Sequence, residues 1–171
     1  LNNIEAQEFF LKEESYCGTD LPQYFTFKKL IDAVSTVLAG KRLSDFYGTY
    51  SAAAGMTFIS NPRDFENVNY KFLNNKDGKF AWRPLQLINP ALYVSLVQNI
   101  TEASSWNVIV QRFSDFSANP KIRCCSIPIL SEEDQSDKAT TVIQWWHSIE
   151  QQSLELALQY EYVLHTDIAD C

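Results

Sequence analysis

The chain has no long apolar run. Its longest are a handful of residues, Ile127 to Leu130 among them, whereas a membrane-spanning helix needs about 20, so no such helix is expected. Leu1 carries neither a basic flank nor a signal-peptide core, and export is not expected either. Glycine and proline are scarce, 5 and 6 residues of 171, which excludes collagen-like and low-complexity chains. The 4 cysteines are too few for a disulfide framework at this length, and Cys124 and Cys125 are adjacent, where bridging is strained. No Cys-x-x-Cys is present, and the only histidines are His147 and His165. A zinc site, with its about four convergent ligands, is therefore not expected. The expected state is reduced, mostly buried thiols in a cytoplasmic protein.

What is present suffices for a packed core. Apolar residues make up 46% of the chain and charged residues 20%, so one domain, or one with a small appendage, is expected rather than a disordered tail. The net charge of −7 argues against a nucleic-acid partner until it is mapped along the chain. Residues 1–70 carry 6 basic and 9 acidic side chains, residues 71–130 carry 7 and 3, and residues 131–171 carry 1 and 9. A middle segment suited to phosphate is followed by one rich in carboxylates.

The local pattern predicts a mixed fold. Ile4 to Lys12 suits a short helix and Ser15 to Leu21 a loop. Thr26 is placed to cap a helix with apolar positions Phe27, Leu30, Ile31, Val34 and Leu38, closed by Gly40, with Lys41-Arg42 set to complement its dipole. Residues 44–66 read as loop and short helix. Two extended runs, VNYKFLNN and KFAWRPLQLI, flank Lys76-Asp77-Gly78-Lys79, and Asp-Gly between such runs signals a hairpin. Asn89-Pro90 opens a helix with Leu92, Tyr93, Leu96, Val97 and Ile100 on one face. Trp106 to Phe116 fits helix or strand, Asn119-Pro120 marks a turn, and Ile122 to Leu130 reads as extended. Asp137 starts a long helix reaching about Tyr160, with Val142, Trp145, Trp146, Ile149, Leu154 and Leu158 expected inward. Tyr162 to Ile168 is a strand candidate.

The last ten residues carry the most chemistry. EYVLHTDIADC is a β-prone run that ends in Asp167. A carboxylate held at the end of a buried strand can ligate a divalent cation, as two-metal phosphoryl transfer requires, although on residues alone such a terminal Asp is more often a turn or cap residue. Lys76 and Arg83, seven apart across the hairpin turn, can stand near its tip and inner face, where cations bind a triphosphate. The bland alternative is a solvated hairpin. Lys121 and Arg123 are candidates for template phosphate or simply an exposed edge pair. Phe80 and Trp82 are candidates for base stacking, or core aromatics. His165, on the same strand face as Asp167, is read as packed rather than as an acid-base group. Cys124-Cys125 has no His or Asp partner nearby in sequence and is not read as a nucleophile.

TDIADC resembles motif A of reverse transcriptases, and KDGKFAWRPLQLINPALYVSLVQNI resembles the fingers hairpin and following helix of the group-II-intron-like members. With LKEESYCGTDLPQYFTF near the start and QWWHSIEQQSLELALQYEYVLHTDI near the end, the chain looks like the bacterial defence-associated reverse transcriptases related to abortive-infection systems, over roughly residues 5–171. The resemblance implies an α+β fold: the fingers of a right-hand polymerase, helices plus a β-hairpin, and the first strand of its palm. It divides the chain into a helical extension (1–66), fingers with the hairpin (67–136), and a helix with the first palm strand (137–171). It implies that Asp167 and the main-chain carbonyl of Ile168 hold Mg²⁺. It also implies that the amides of Asp170 and Cys171 approach the incoming triphosphate, and that Lys76, Lys79 and Arg83 bind triphosphate or template. The expected activity is RNA-directed DNA synthesis in antiphage defence. Expected partners are a noncoding RNA template, the DNA product, deoxynucleoside triphosphates and the rest of the polymerase chain, without a membrane; homo-oligomerisation stays open. The family's second motif, Tyr/Phe-x-Asp-Asp, is absent, so the polypeptide is expected to be an N-terminal piece that cannot polymerise alone. The alternatives are a catalytically inactive nucleic-acid-binding scaffold, a structural defence component, and untemplated DNA synthesis.

Overall fold

The computed structural model describes residues 1–18, 21–22, 24–51, 57–75, 82–125, 130 and 137–166. These form six helices and two antiparallel two-stranded sheets, an α+β arrangement. The chain divides into two compact units, Leu1–Trp106 and Asn107–Cys171.

The first unit holds four complete α-helices. Helix α1 (Asn3–Phe10) starts with a capping box: the Asn2 side chain accepts from the amides of Ile4 and Glu5 at 2.9 Å, and the Glu5 carboxylate accepts from the Asn2 amide at 2.8 Å. One more helical turn follows, α2 (Glu13–Tyr16), which takes Ser15 and Tyr16 from the expected loop; Cys17, Gly18 and Leu21 are irregular as expected. The reason for the turn is tertiary. Glu13 accepts a hydrogen bond from the Phe27 amide, the N-cap of α3 (Lys28–Leu38), and Tyr16 is buried in the core. Thr26 therefore is not the cap; a carboxylate fourteen residues upstream takes that place, where the helix dipole favours negative charge. Gly40 ends α3 as expected, at φ +66°, and the Lys41 amide bonds the Leu38 carbonyl. Lys41 and Arg42 lie past the final turn of α3 rather than in it.

Ile31 and Leu38 of α3 pack with Tyr16 of α2 and with Tyr93, Val94 and Val97 of α4 (Pro90–Ile100) to form the core. The buried stripe of α4 is rotated from the sequence reading, since Val94 is fully buried and Leu96 is 49% exposed. Two tyrosines lock the helices. The Tyr16 hydroxyl donates to the Ile88 carbonyl and the Tyr93 hydroxyl to the Phe10 carbonyl, each at 2.6 Å, with the rings edge-to-face at 5.0 Å. Burial, and to a lesser degree the neighbouring Tyr16, pushes the Tyr93 hydroxyl up to about 12 from its ordinary 10.0.

Between α3 and α4, the stretch read as loop and short helix has short 3₁₀ helices at Leu43–Phe46 and Pro62–Asp64, and between them an unexpected small ladder, β1 (Thr49–Ser51) with β2 (Thr57–Ile59). Strands of three residues leave almost no alternation to read. The larger ribbon, β3 (Tyr70–Asn75) with β4 (Trp82–Leu87), stands where the sequence expects a hairpin. Its register differs from an uninterrupted two-residue Asp77-Gly78 loop, which would set Asn75 opposite Phe80; Asn75 faces Trp82.

Helix α5 (Ala103–Ser117) runs through the boundary between the units and resolves the Trp106–Phe116 ambiguity in favour of helix. In the second unit, Asn119-Pro120 forms the expected turn, with the Ile122 amide on the Asn119 carbonyl at 3.1 Å, but residues 122–125 form no strand. The long helix is present as α6 (Asp137–Gln159), with Asp137 buried in its first turn. Its expected inward face is largely uncovered: Val142, Trp146, Leu154 and Leu158 are exposed, Leu158 at 89%. Tyr162 to Thr166 is irregular rather than a strand, and Tyr162 and Leu164 are exposed. A strand exists only when a neighbour takes its amides, and no neighbour among the described residues does so.

Candidate nucleic-acid interface

The β3–β4 ribbon is the feature that the sequence marks for phosphate chemistry, and α4 fixes its base. Asn89 caps α4 through its side chain, which accepts from the Ala91 amide at 3.0 Å. The Asn89 amide in turn donates to the Asn69 side chain at 3.0 Å, just ahead of β3. One asparagine thus ties the helix start to the foot of the ribbon, and the Tyr16 bond to Ile88 adds a second tether to the same corner.

The register sorts the ribbon into two faces, because directly opposed residues point the same way. Tyr70, Phe72, Asn74, Arg83, Leu85 and Leu87 share one face; Lys71, Leu73, Asn75, Trp82, Pro84 and Gln86 share the other. The first is the inner face: Leu87 packs against the core, and Phe72 and Leu85 are half-buried. Arg83, opposite Asn74, continues this face beyond its apolar part. Its guanidinium is exposed and ion-paired with no described carboxylate, so it keeps its capacity for a bidentate contact to phosphate. The outer face carries Trp82 at 58% and Leu73 at 64% exposure, together with Lys71. Trp82 is therefore not the core aromatic that strand alternation suggested. An exposed indole on a sheet face with a cation is the arrangement on which a base can stack. The sequence reading passed over Lys71, whose signal was its place two residues before Leu73 in an alternating run.

Lys76, Lys79 and Phe80 lie outside the described residues, as do Asp167, Ile168, Asp170 and Cys171. Lys121 and Arg123 are exposed and belong to the second unit, whereas Arg83 belongs to the first. The Lys121 amide closes an Asx turn on the Asn119 side chain at 3.0 Å, and the Arg123 guanidinium donates to the Ile122 carbonyl at 3.4 Å. His165 is exposed rather than packed. The described thiols are not mostly buried: Cys17 and Cys125 are half-buried and Cys124 is exposed. Among the described residues, no group of three or more His, Cys, Asp or Glu side chains stands close enough to hold a metal ion, so they supply no Mg²⁺ ligand set of their own. Among them, too, no helix is long and apolar enough to cross a membrane.

No protein-family model matches the sequence, and no curated protein matches it significantly.

Proposed function

We propose that this chain is the fingers and first palm segment of an RNA-directed DNA polymerase of the bacterial antiphage-defence type. The observation that carries the reading is the coincidence of the TDIADC and WRPLQLINP motifs with an exposed Arg83, ion-paired with no described carboxylate, on the inner face of a ribbon anchored to the following helix. In this reading Arg83, with Lys76 and Lys79, neutralises the triphosphate of the incoming deoxynucleotide. Lys121 and Arg123 touch template phosphate, and the Asp170 and Cys171 amides meet the triphosphate. Mg²⁺, held by Asp167 and the Ile168 carbonyl, supplies charge stabilisation when bound. The template is a noncoding RNA, and the remaining carboxylates come from chain beyond this segment.

Arg83 offers the sharper test of roles. In the natural gene product, Arg83→Ala raises the KM for deoxynucleotide at least tenfold with RNA affinity within twofold of wild type, and Arg83→Lys recovers only part of the loss because it lacks the planar fork. An unchanged KM in Arg83→Ala removes Arg83 from the triphosphate site. Absence of any synthesis by the wild-type product under RNA-templated conditions leaves the scaffold role in its place, and product that does not copy the supplied RNA marks untemplated synthesis.

A further inference from the structure

The first unit has a groove of about 640 Å³ that involves none of the residues assigned above. One wall is the segment after α3, with Lys41 and Arg42; the facing wall is the end of α4, with Gln98 and Asn99, continued by Glu102. Leu43 is the one aliphatic side chain lining it. Pockets for uncharged small molecules are mostly apolar, so this lining selects a ligand rich in hydrogen-bonding groups.

The two walls have opposite character. The Lys41 ammonium is steadied over the Phe46 ring, 5.4 Å from its centroid, and the Arg42 amide donates to the Asp45 carboxylate at 2.9 Å, which fixes the backbone while leaving the guanidinium uncommitted. Neither cation is ion-paired with a described carboxylate. On α4, each side-chain amide directs N–H at its own protein partners: Gln98 Nε2 donates one to the Leu38 carbonyl at 3.4 Å, and Asn99 Nδ2 donates to the Ser95 carbonyl at 2.7 Å and the Ser95 hydroxyl at 3.5 Å. Their side-chain oxygens accept from no described donor and stand beside the Glu102 carboxylate, so acceptors predominate on this wall. A simple anion would satisfy the cationic wall and be repelled by the other. A simple cation would meet the reverse problem. The complementary ligand has an anionic group at one end and O–H or N–H donors at the other.

We propose that this groove binds a nucleotide, with its phosphate on Lys41 and Arg42 and the donors of its sugar or base on Gln98, Asn99 and Glu102. The nucleotide is either free or one unit of an RNA strand, since both present the same phosphate and hydroxyl chemistry.

The test titrates the 171-residue chain, without divalent metal, with ATP, with adenosine and with a labelled 12-nucleotide single-stranded RNA. ATP is expected to bind one site at least tenfold more tightly than adenosine. The Lys41→Glu/Arg42→Glu variant is expected to weaken ATP at least tenfold, and Asn99→Leu severalfold. A Lys28→Glu/Lys29→Glu control, with equal charge change on exposed α3 positions, is expected to stay within twofold. Circular dichroism matching wild type keeps the comparison between folded proteins, and a folded Asn99→Leu chain alone suffices if the double variant is not folded. RNA that displaces ATP assigns the site to a strand; ATP that stays bound beside RNA assigns it to a free nucleotide. Equal binding of ATP and adenosine, an effect below twofold in the folded groove variants, or an equal loss in the Lys28/Lys29 control overturns the proposal. Loss of ATP binding in Asp167→Ala with the groove variants unaffected also overturns it, and would favour the polymerase reading on which this site does not depend.

Discussion

The two units use the same kind of apolar periodicity and obtain different results from it. In Leu1–Trp106 the stripe of α3 meets the stripe of α4, and Ile31 and Val94 are completely excluded from solvent. In Asn107–Cys171 the 23-residue helix α6 has a comparable run of Val, Ile, Trp and Leu, yet Ile143, Trp146, Leu154 and Leu158 are all more than half exposed. A hydrophobic stripe states which face gains from burial; whether it is buried depends on an opposing surface. Stability in the first unit is therefore a property of residue pairs brought together from distant sequence, whereas among the described residues most of the apolar stripe of α6 has no opposing surface.

The substitution with the largest expected effect strikes that contrast directly. Ile31→Ala removes a fully buried side chain between two helices and should cost about 2–5 kcal/mol in denaturant unfolding. A cost under about 1 kcal/mol would mean that the α3–α4 contact is not the core. Next comes Gly40→Ala. A Cβ there meets nothing within 4 Å, so the whole penalty is the positive φ of 66°, about 1–2 kcal/mol. Removing the Tyr93 hydroxyl should cost about 1 kcal/mol, because the Phe10 carbonyl loses its donor. The same tyrosine sets a pH window. Its hydroxyl is raised from 10.0 to about 12, so the neutral form is favoured in the folded state. The stabilisation is complete below pH 10 and disappears as pH climbs through about 12. Wild type should lose stability across that interval in alkaline unfolding, and Tyr93→Phe should lose less; parallel curves would locate the titrating group elsewhere. The smallest effect is expected in the other unit, where Leu158→Ala, at 89% exposure, should stay within about 0.5 kcal/mol. A cost above 2 kcal/mol would show that the α6 stripe is covered in solution.

The same contrast explains what could be read from residue order. Helices α3, α4 and α6 announce themselves through spacing, Gly40 and Asn89-Pro90 through end chemistry, and the β3–β4 ribbon through two alternating runs around a turn sequence. These are local signals. The Glu13 cap on Phe27 spans fourteen residues and has no spacing rule. The β1–β2 ladder is too short to alternate visibly. On α4, Tyr93 and Val97 are buried as their spacing predicts, but Val94 rather than Leu96 completes the buried face, which no local spacing rule decides. On the β3–β4 ribbon, the face of Arg83 was legible because strand parity with Leu85 and Leu87 fixes it. The exposure of Trp82 was not, because parity assigns a face without saying which one is covered. Lys41 and Arg42 were read as companions of the helix dipole, and nothing in their spacing shows that Gln98 and Asn99 stand across from them.

The central claim rests on Asp167. The most direct measurement is RNA-templated incorporation of labelled deoxynucleotide by the natural gene product in Mg²⁺, for wild type and for Asp167→Ala. The account predicts robust synthesis by wild type and a loss of at least about a thousandfold in the variant, with RNA binding retained. Synthesis by Asp167→Ala at close to the wild-type rate would contradict it.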